Sequence, residues 1–135
     1  MNKESSIQGV VLAHGAMAEG MVDAVARISG IGEEALRALS NDGKSPEALR
    51  AEVTELLGRS PVIIFTDLPS GSCAVTAQIC CREGTDAAVV FGVNLPILLD
   101  FVFHRDLPLE DLVPRLLEKG KGSVQSVPDY SGTGS

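Results

Sequence analysis

Two short runs constrain this chain more than anything else in it. Residues 61–66 (PVIIFT) and 86–91 (DAAVVF) are nearly all apolar, with no alternation of polar positions. A strand with one wet face alternates, whereas a strand covered on both faces does not. Strands covered on both faces belong to parallel sheets, and parallel neighbours need a long crossover, usually a helix. A third apolar run, residues 7–13 (IQGVVLA), precedes them. The segments between these runs carry the expected helices.

After His14-Gly15, residues 16–28 place Met17, Met21, Val22, Val25 and Ile28 along one apolar stripe, and Gly30 and Gly32 end that helix. Residues 33–40 (EEALRALS) fit either a short helix or an edge strand. Asn41-Asp42-Gly43 reads as a turn. Ser45 caps a helix that opens with Pro46, runs to about Leu57 and stops at Gly58. Ser72 opens another, expected to reach about Glu83 and end at Gly84. Leu95-Pro96 starts a helix through about Phe103, and residues 107–119 form one more, in which Pro114 kinks the helix or delays its start. Gly120 is read as its end, residues 123–127 as a last strand, and 128–135 as a mobile polar tail. The pattern predicts one α/β domain over residues 1–127 with a doubly wound, mainly parallel sheet of flavodoxin-like order 2-1-3-4.

Composition excludes several functions. The chain has 135 residues, 44% of them hydrophobic, which is enough for one core and too many for disorder. Its formal charge of -7 and lack of a basic cluster argue against nucleic acid and against anionic membrane surfaces. No apolar stretch approaches the ~20 residues of a membrane span. The opening residues, MNKESSIQGVV, show no secretion signal, so a cytoplasmic chain is expected. Cys73, Cys80 and Cys81 are odd in number and clustered, which is no disulfide framework. Cys80 and Cys81 are adjacent and no His lies near in sequence, so no metal site is expected, and the three read as small packing residues.

In an open parallel sheet, sites form beyond the C-terminal ends of strands where the winding reverses. With order 2-1-3-4, that place lies between the first and third strands. His14 follows the first and Asp67 the third, so the two should face each other across the crevice. A carboxylate that accepts one imidazole N–H fixes the tautomer and frees the other nitrogen as a nucleophile. Gly71-Ser72 opens a helix, whose first amides lack internal partners and suit an anion. A nucleophilic His, an orienting Asp and an anion cradle of Gly71 and Ser72 together suit a phosphoryl group. His104, beside Arg105 near a helix end, reads as structural. A Ser-His-Asp hydrolase is disfavoured, because Gly71-Ser72-Cys73 lacks the G-x-S-x-G elbow.

Three stretches also carry a family likeness: Ala13-His14-Gly15 with Met17-Ala18-Glu19-Gly20, then FTDLPSGS from Phe65 to Ser72, then FGVNLPILL from Phe91 to Leu99. In order and spacing they resemble the EIIA domain of the mannose-type sugar phosphotransferase system (PTS) over about residues 7–127. The resemblance implies that His14 accepts a phosphoryl group on Nε2 from phospho-HPr and passes it to an EIIB partner. It implies that Asp67 orients the ring, that Ser72 contacts the phosphoryl group, and that no cofactor is needed. It also implies a homodimer that exchanges an antiparallel edge strand, here residues 123–127. The family loop usually reads D-x-x-G-G-S-P, so Ser70 and Cys73 are departures. Ser70 would strain the turn if that place needs φ > 0; a thiol at a helix start favours thiolate and could sense oxidation, but the favoured reading of Cys73 is a small residue filling that site. Two other outputs remain open at this point: a regulatory EIIA whose phosphorylation state another protein reads, and a flavodoxin-like module that holds FMN or an anion without turnover.

Overall fold

The computed structural model describes residues 6–57, 61–81, 86–130 and 132. Strands β1 (Gln8–Ala13), β2 (Leu36–Ser40), β3 (Val62–Thr66) and β4 (Ala87–Phe91) alternate with helices α1 (Met17–Ser29), α2 (Pro46–Leu57), α3 (Ser72–Cys81) and α4 (Leu95–Val102), and α5 (Leu109–Gly122) follows. Every strand pair is parallel, and the order is β2-β1-β3-β4. This is the doubly wound, flavodoxin-like sheet that the apolar runs predict.

The double covering is visible residue by residue. Val11, Ile63, Phe65 and Val90 point into the core shared with α1, α4 and α5. Their neighbours Val10, Leu12, Val62 and Ile64 point the other way, onto α2 and α3. Phe65 meets Phe101 of α4 edge to face, with centroids 5.2 Å apart, the geometry that the ring quadrupole favours. Gly9 of β1 sits under this contact. A Cβ there would lie 2.6 Å from Phe101 Cε2 and 2.8 Å from Leu36 Cδ1.

The ambiguous segment 33–40 resolves as the edge strand β2, because it pairs with the free edge of β1 from Gly9↔Leu36 to Ala13↔Ser40. A stretch this short is a poor helix without neighbours to hold it. Ser45 caps α2 as expected, its Oγ accepting from Ala48 N–H at 3.1 Å. Gly30 closes α1 in the left-handed conformation, with φ 80°. The expected stops at Gly58 and Gly84, and the expected reach of α3 to Glu83, lie outside the described residues.

The C-terminal third departs from expectation in two places. Gly120 does not end α5, which runs through Pro114 and on to Gly122. Gly120 is instead where α5 crosses α4, for a Cβ there would lie 2.5 Å from Ile97 Cδ1. Asn94 fastens this crossing: its Oδ1 accepts from Ile97 N–H at 3.0 Å to cap α4, and its Nδ2 donates to the Gly120 carbonyl at 3.2 Å. Second, residues 123–127 form no strand in this chain, and the four-stranded sheet has no antiparallel member among the described residues. A strand exists only with a ladder partner, and this segment has none among the described residues; the partner expected for it belongs to a second subunit. Val124 and Val127 are left exposed.

Two glycines should respond oppositely to alanine. Gly9→Ala overpacks the β1–α4 contact and is expected to lower unfolding free energy by about 1–3 kcal/mol. Gly20, on the exposed side of α1 with nothing within 4 Å of its missing Cβ, should gain about 0.5–1 kcal/mol from helix propensity. Urea unfolding of the two variants checks both signs.

Candidate functional site

Strand pairing brings the first two site residues together. Leu12 of β1 pairs with Thr66 of β3, so both chains leave the sheet at the same level, β1 into His14 and β3 into Asp67. Thr66, wholly buried, donates its hydroxyl to the Leu68 carbonyl at 2.9 Å and bends the exit loop. Asp67 Oδ2 then lies 2.8 Å from His14 Nδ1 and 3.0 Å from the His14 backbone N–H, while Oδ1 accepts from Leu68 N–H at 3.0 Å. An ionised carboxylate only accepts, so Nδ1 carries the ring proton and Nε2 keeps its lone pair. The Asp67 side chain is 8% exposed and that of His14 43%, so the carboxylate is covered and the imidazole is open. Burial pushes the Asp67 carboxyl up, but the hydrogen bonds from the His14 ring and amide outweigh it and hold the group below its usual 3.8.

The start of α3 closes the other side. Val75 N–H donates to the Gly71 carbonyl at 3.0 Å, so Gly71 takes the capping place expected of Ser72, and Ser72 is the first helical residue. Gly71 has φ +97°, and a Cβ there would lie 3.8 Å from His14 Cε1 and 4.0 Å from Nε2. The backbone therefore runs alongside the free nitrogen, a path open to glycine. No described non-glycine residue has positive φ, so the strain expected at Ser70 is absent. Ser72 stands between Gly71 and Cys73, both of which lie against the His14 ring.

One residue of the crevice escaped the sequence reading, and another sits in a different state from the one expected. Asn41, taken as part of a turn, donates its Nδ2 to Ser72 Oγ at 3.5 Å, and its Oδ1 is buried with no partner among the described residues. In a parallel sheet all strands exit at one end, so the residue after β2 belongs beside the residue after β1. That topological signal could have found it. Cys73 is fully buried with Sγ 4.0 Å from His14 Nδ1. Burial, then the charge of Asp67, pushes its thiol up, against a hydrogen bond with Ser72. The expected bias toward thiolate is thus reversed. His14, Asp67 and Cys73 each offer a donor atom within 4.8 Å of the others, a spacing that could hold a metal ion. His104 lies apart, its Nδ1 2.8 Å from the Asp100 carbonyl in the last turn of α4.

A family model described as the PTS system fructose IIA component, EIIA-man, matches residues 9–114. The chain belongs to the EIIA-man family. As an EIIA-man protein it is a phosphotransfer component of the sugar phosphotransferase system, a system in which HPr and EIIB are the general partners. Solved EIIA structures share its fold. A phosphotransferase system component EIIA from Streptococcus agalactiae superposes with TM-score 0.84 at 22% identity, covering 90% of this chain and 98% of that one. A mannose/sorbose-specific IIA subunit from Enterococcus faecalis gives 0.76 at 20%, covering 90% and 94%. A PTS IIA protein associated with the fucose utilization operon of Streptococcus pneumoniae gives 0.75 at 24%, covering 91% and 94%. No match is found among curated protein sequences. Among the described residues, no helix of this EIIA-man chain is long and apolar enough to cross a membrane.

The lowered Asp67 group has a signed consequence for stability. Its folded value lies below the unfolded one, so its contribution is complete above 3.8 and fades as pH falls through the folded value. Asp67→Ala is expected to cost about 1.5–3 kcal/mol near neutral pH, the worth of hydrogen bonds to a charged group. Urea titrations at about pH 7 and about pH 3 should show that gap narrowing at the lower pH.

Proposed function

We propose that this EIIA-man chain is a cytoplasmic phosphocarrier in which His14 takes a phosphoryl group from phospho-HPr and hands it to a histidine of EIIB. The observation that carries the reading is the 2.8 Å contact between His14 Nδ1 and the covered Asp67 carboxylate, with the far side of the ring open beside Gly71. The Nε2 lone pair attacks phosphorus in line. The new N–P bond forms as the donor's N–P bond breaks, and the donor ring leaves with its electron pair. Positive charge that grows on the His14 ring is met by Asp67 through Nδ1–H. The phosphoryl oxygens take the Ser72 hydroxyl and the free amides at the start of α3, where the helix dipole favours an anion. Transfer to EIIB reverses these steps. Neither step calls for a cofactor, since the group moves directly from one histidine to the next.

The test is incubation with phosphoenolpyruvate, Enzyme I and HPr. An acid-labile, base-stable adduct of about +80 Da is expected on wild type and not on His14→Ala. An adduct that survives that substitution would move the site elsewhere. Asp67→Ala should slow transfer about 10²-fold through misplacement of the ring. Ser72→Ala should slow it by about 10²-fold, the usual loss for one anion-stabilising donor.

The working unit in this reading is a homodimer built on residues 1–127, with 128–135 as a tail. Supporting it, the outer edge of β4 is unpaired among the described residues, and Val124 and Val127 stand exposed. Residues 123–127 would reach the partner's β4. Sedimentation should give a dimer for the full chain and a monomer for a chain ended after Gly122; an unchanged dimer would reject the exchanged strand.

A further inference from the structure

Cys73 is the crevice residue that phosphoryl transfer leaves unused. Its Sγ lies 4.0 Å from His14 Nδ1, and Nδ1 lies 2.8 Å from Asp67 Oδ2. One donor atom from each of the three residues falls within 4.8 Å of the others. Zinc binds sulfur at about 2.3 Å and nitrogen or oxygen at about 2.0–2.2 Å. In a tetrahedron those bonds set sulfur and nitrogen about 3.6 Å apart, and nitrogen and oxygen about 3.4 Å apart. The observed sulfur–nitrogen spacing of 4.0 Å is slightly wide of this and the nitrogen–oxygen spacing of 2.8 Å is tighter, while sulfur and carboxylate oxygen lie within 4.8 Å, so an ion enters as the carboxylate draws back from the ring. The outer shell is also present. Both Asp67 oxygens are held by backbone amides, those of His14 and Leu68, as ligating carboxylates commonly are.

We propose that this crevice binds a thiophilic divalent cation, of which Zn²⁺ and Cd²⁺ are the type, through Cys73 Sγ, His14 Nδ1 and one Asp67 oxygen, and that the bound ion shuts off His14. A thiolate, an imidazole and one carboxylate favour such ions over Mg²⁺ or Ca²⁺, which prefer all-oxygen sites. Water fills the fourth position. Coordination at Nδ1 shifts the ring proton to Nε2, and the thiol releases one proton to solvent. The nitrogen that attacks phosphorus then has no lone pair, and Asp67 no longer steers the ring. The blocking rests on the phosphocarrier reading, whereas the binding does not.

The test separates the two. Reduced, metal-free full chain is titrated with Cd²⁺ alone, and the ultraviolet thiolate-to-cadmium charge-transfer band is followed. One equivalent should saturate the band in wild type and in Cys80→Ala/Cys81→Ala, and Cys73→Ala should lack it. Cys73→Ser provides a second variant, and thermal melts confirm that each one folds. A band that persists without Cys73, or vanishes with Cys80 and Cys81, overturns the site. His14→Ala and Asp67→Ala should each weaken Cd²⁺ binding at least about tenfold; unchanged affinity in either one overturns that ligand. Stoichiometric Zn²⁺ should then slow formation of the phospho-adduct at least about tenfold in wild type and not in Cys73→Ala, with a chelator restoring the rate. Unchanged rates in zinc-loaded wild type overturn the blocking. If unloaded wild type takes no phosphoryl group while the cadmium band behaves as described, the phosphocarrier reading fails and the ion site stands.

Discussion

The parallel ladder between β1 and β3 is the constraint on which the rest of the molecule depends. Pairing Leu12 with Thr66 sets the two strand ends level, and everything at the crevice follows from that level. A slip of one residue would turn every side chain of β1 to the opposite face of the sheet. The register cannot slip cheaply, because Val10 and Leu12 fill one core while Val11 and Ala13 fill the other. Burial on both faces of the sheet therefore fixes the meeting of an imidazole and a carboxylate at its rim.

That meeting is favourable because the carboxylate is well served. Asp67 accepts from three N–H groups, two of them backbone amides. A covered negative charge with one partner would be costly, whereas one with several donors stays ionised. The same arrangement raises the cost of ionising Cys73 nearby, since a second negative charge would face Asp67. Around His14 the crevice therefore holds one stable anion and a neutral thiol. A positive charge arriving or developing beside the ring, as both proposals require, would find its counter-charge already in place.

What could be read from the amino acids alone was what is decided locally or by strand order. Runs such as 61–66 show burial on both faces without any knowledge of their neighbours. His14 and Asp67 could be paired because sites in such sheets sit at strand exits. What could not be read depends on what passes nearby in space. Gly120 has the composition of a helix stop, but its role is to let Ile97 approach. Asn41 has the composition of a turn, yet its amide reaches Ser72. The argument against metal ligation used distance along the chain, and the fold carries Cys73 to His14 across 59 residues. Strand 123–127 was expected on pattern and likeness; it finds no ladder partner among the described residues, and the partner expected for it lies on a second subunit.

Asp67 Oδ2 holds His14 twice, at the backbone amide and at the ring. Such a two-point tether leaves the imidazole little freedom to swing. Together with the Gly71 backbone lying along the ring, it gives Nε2 a single doorway. In the proposed transfer, a giver and a taker that both need this atom would have to come through the same doorway in turn. Their footprints on the protein would then overlap, one visitor leaving before the next arrives.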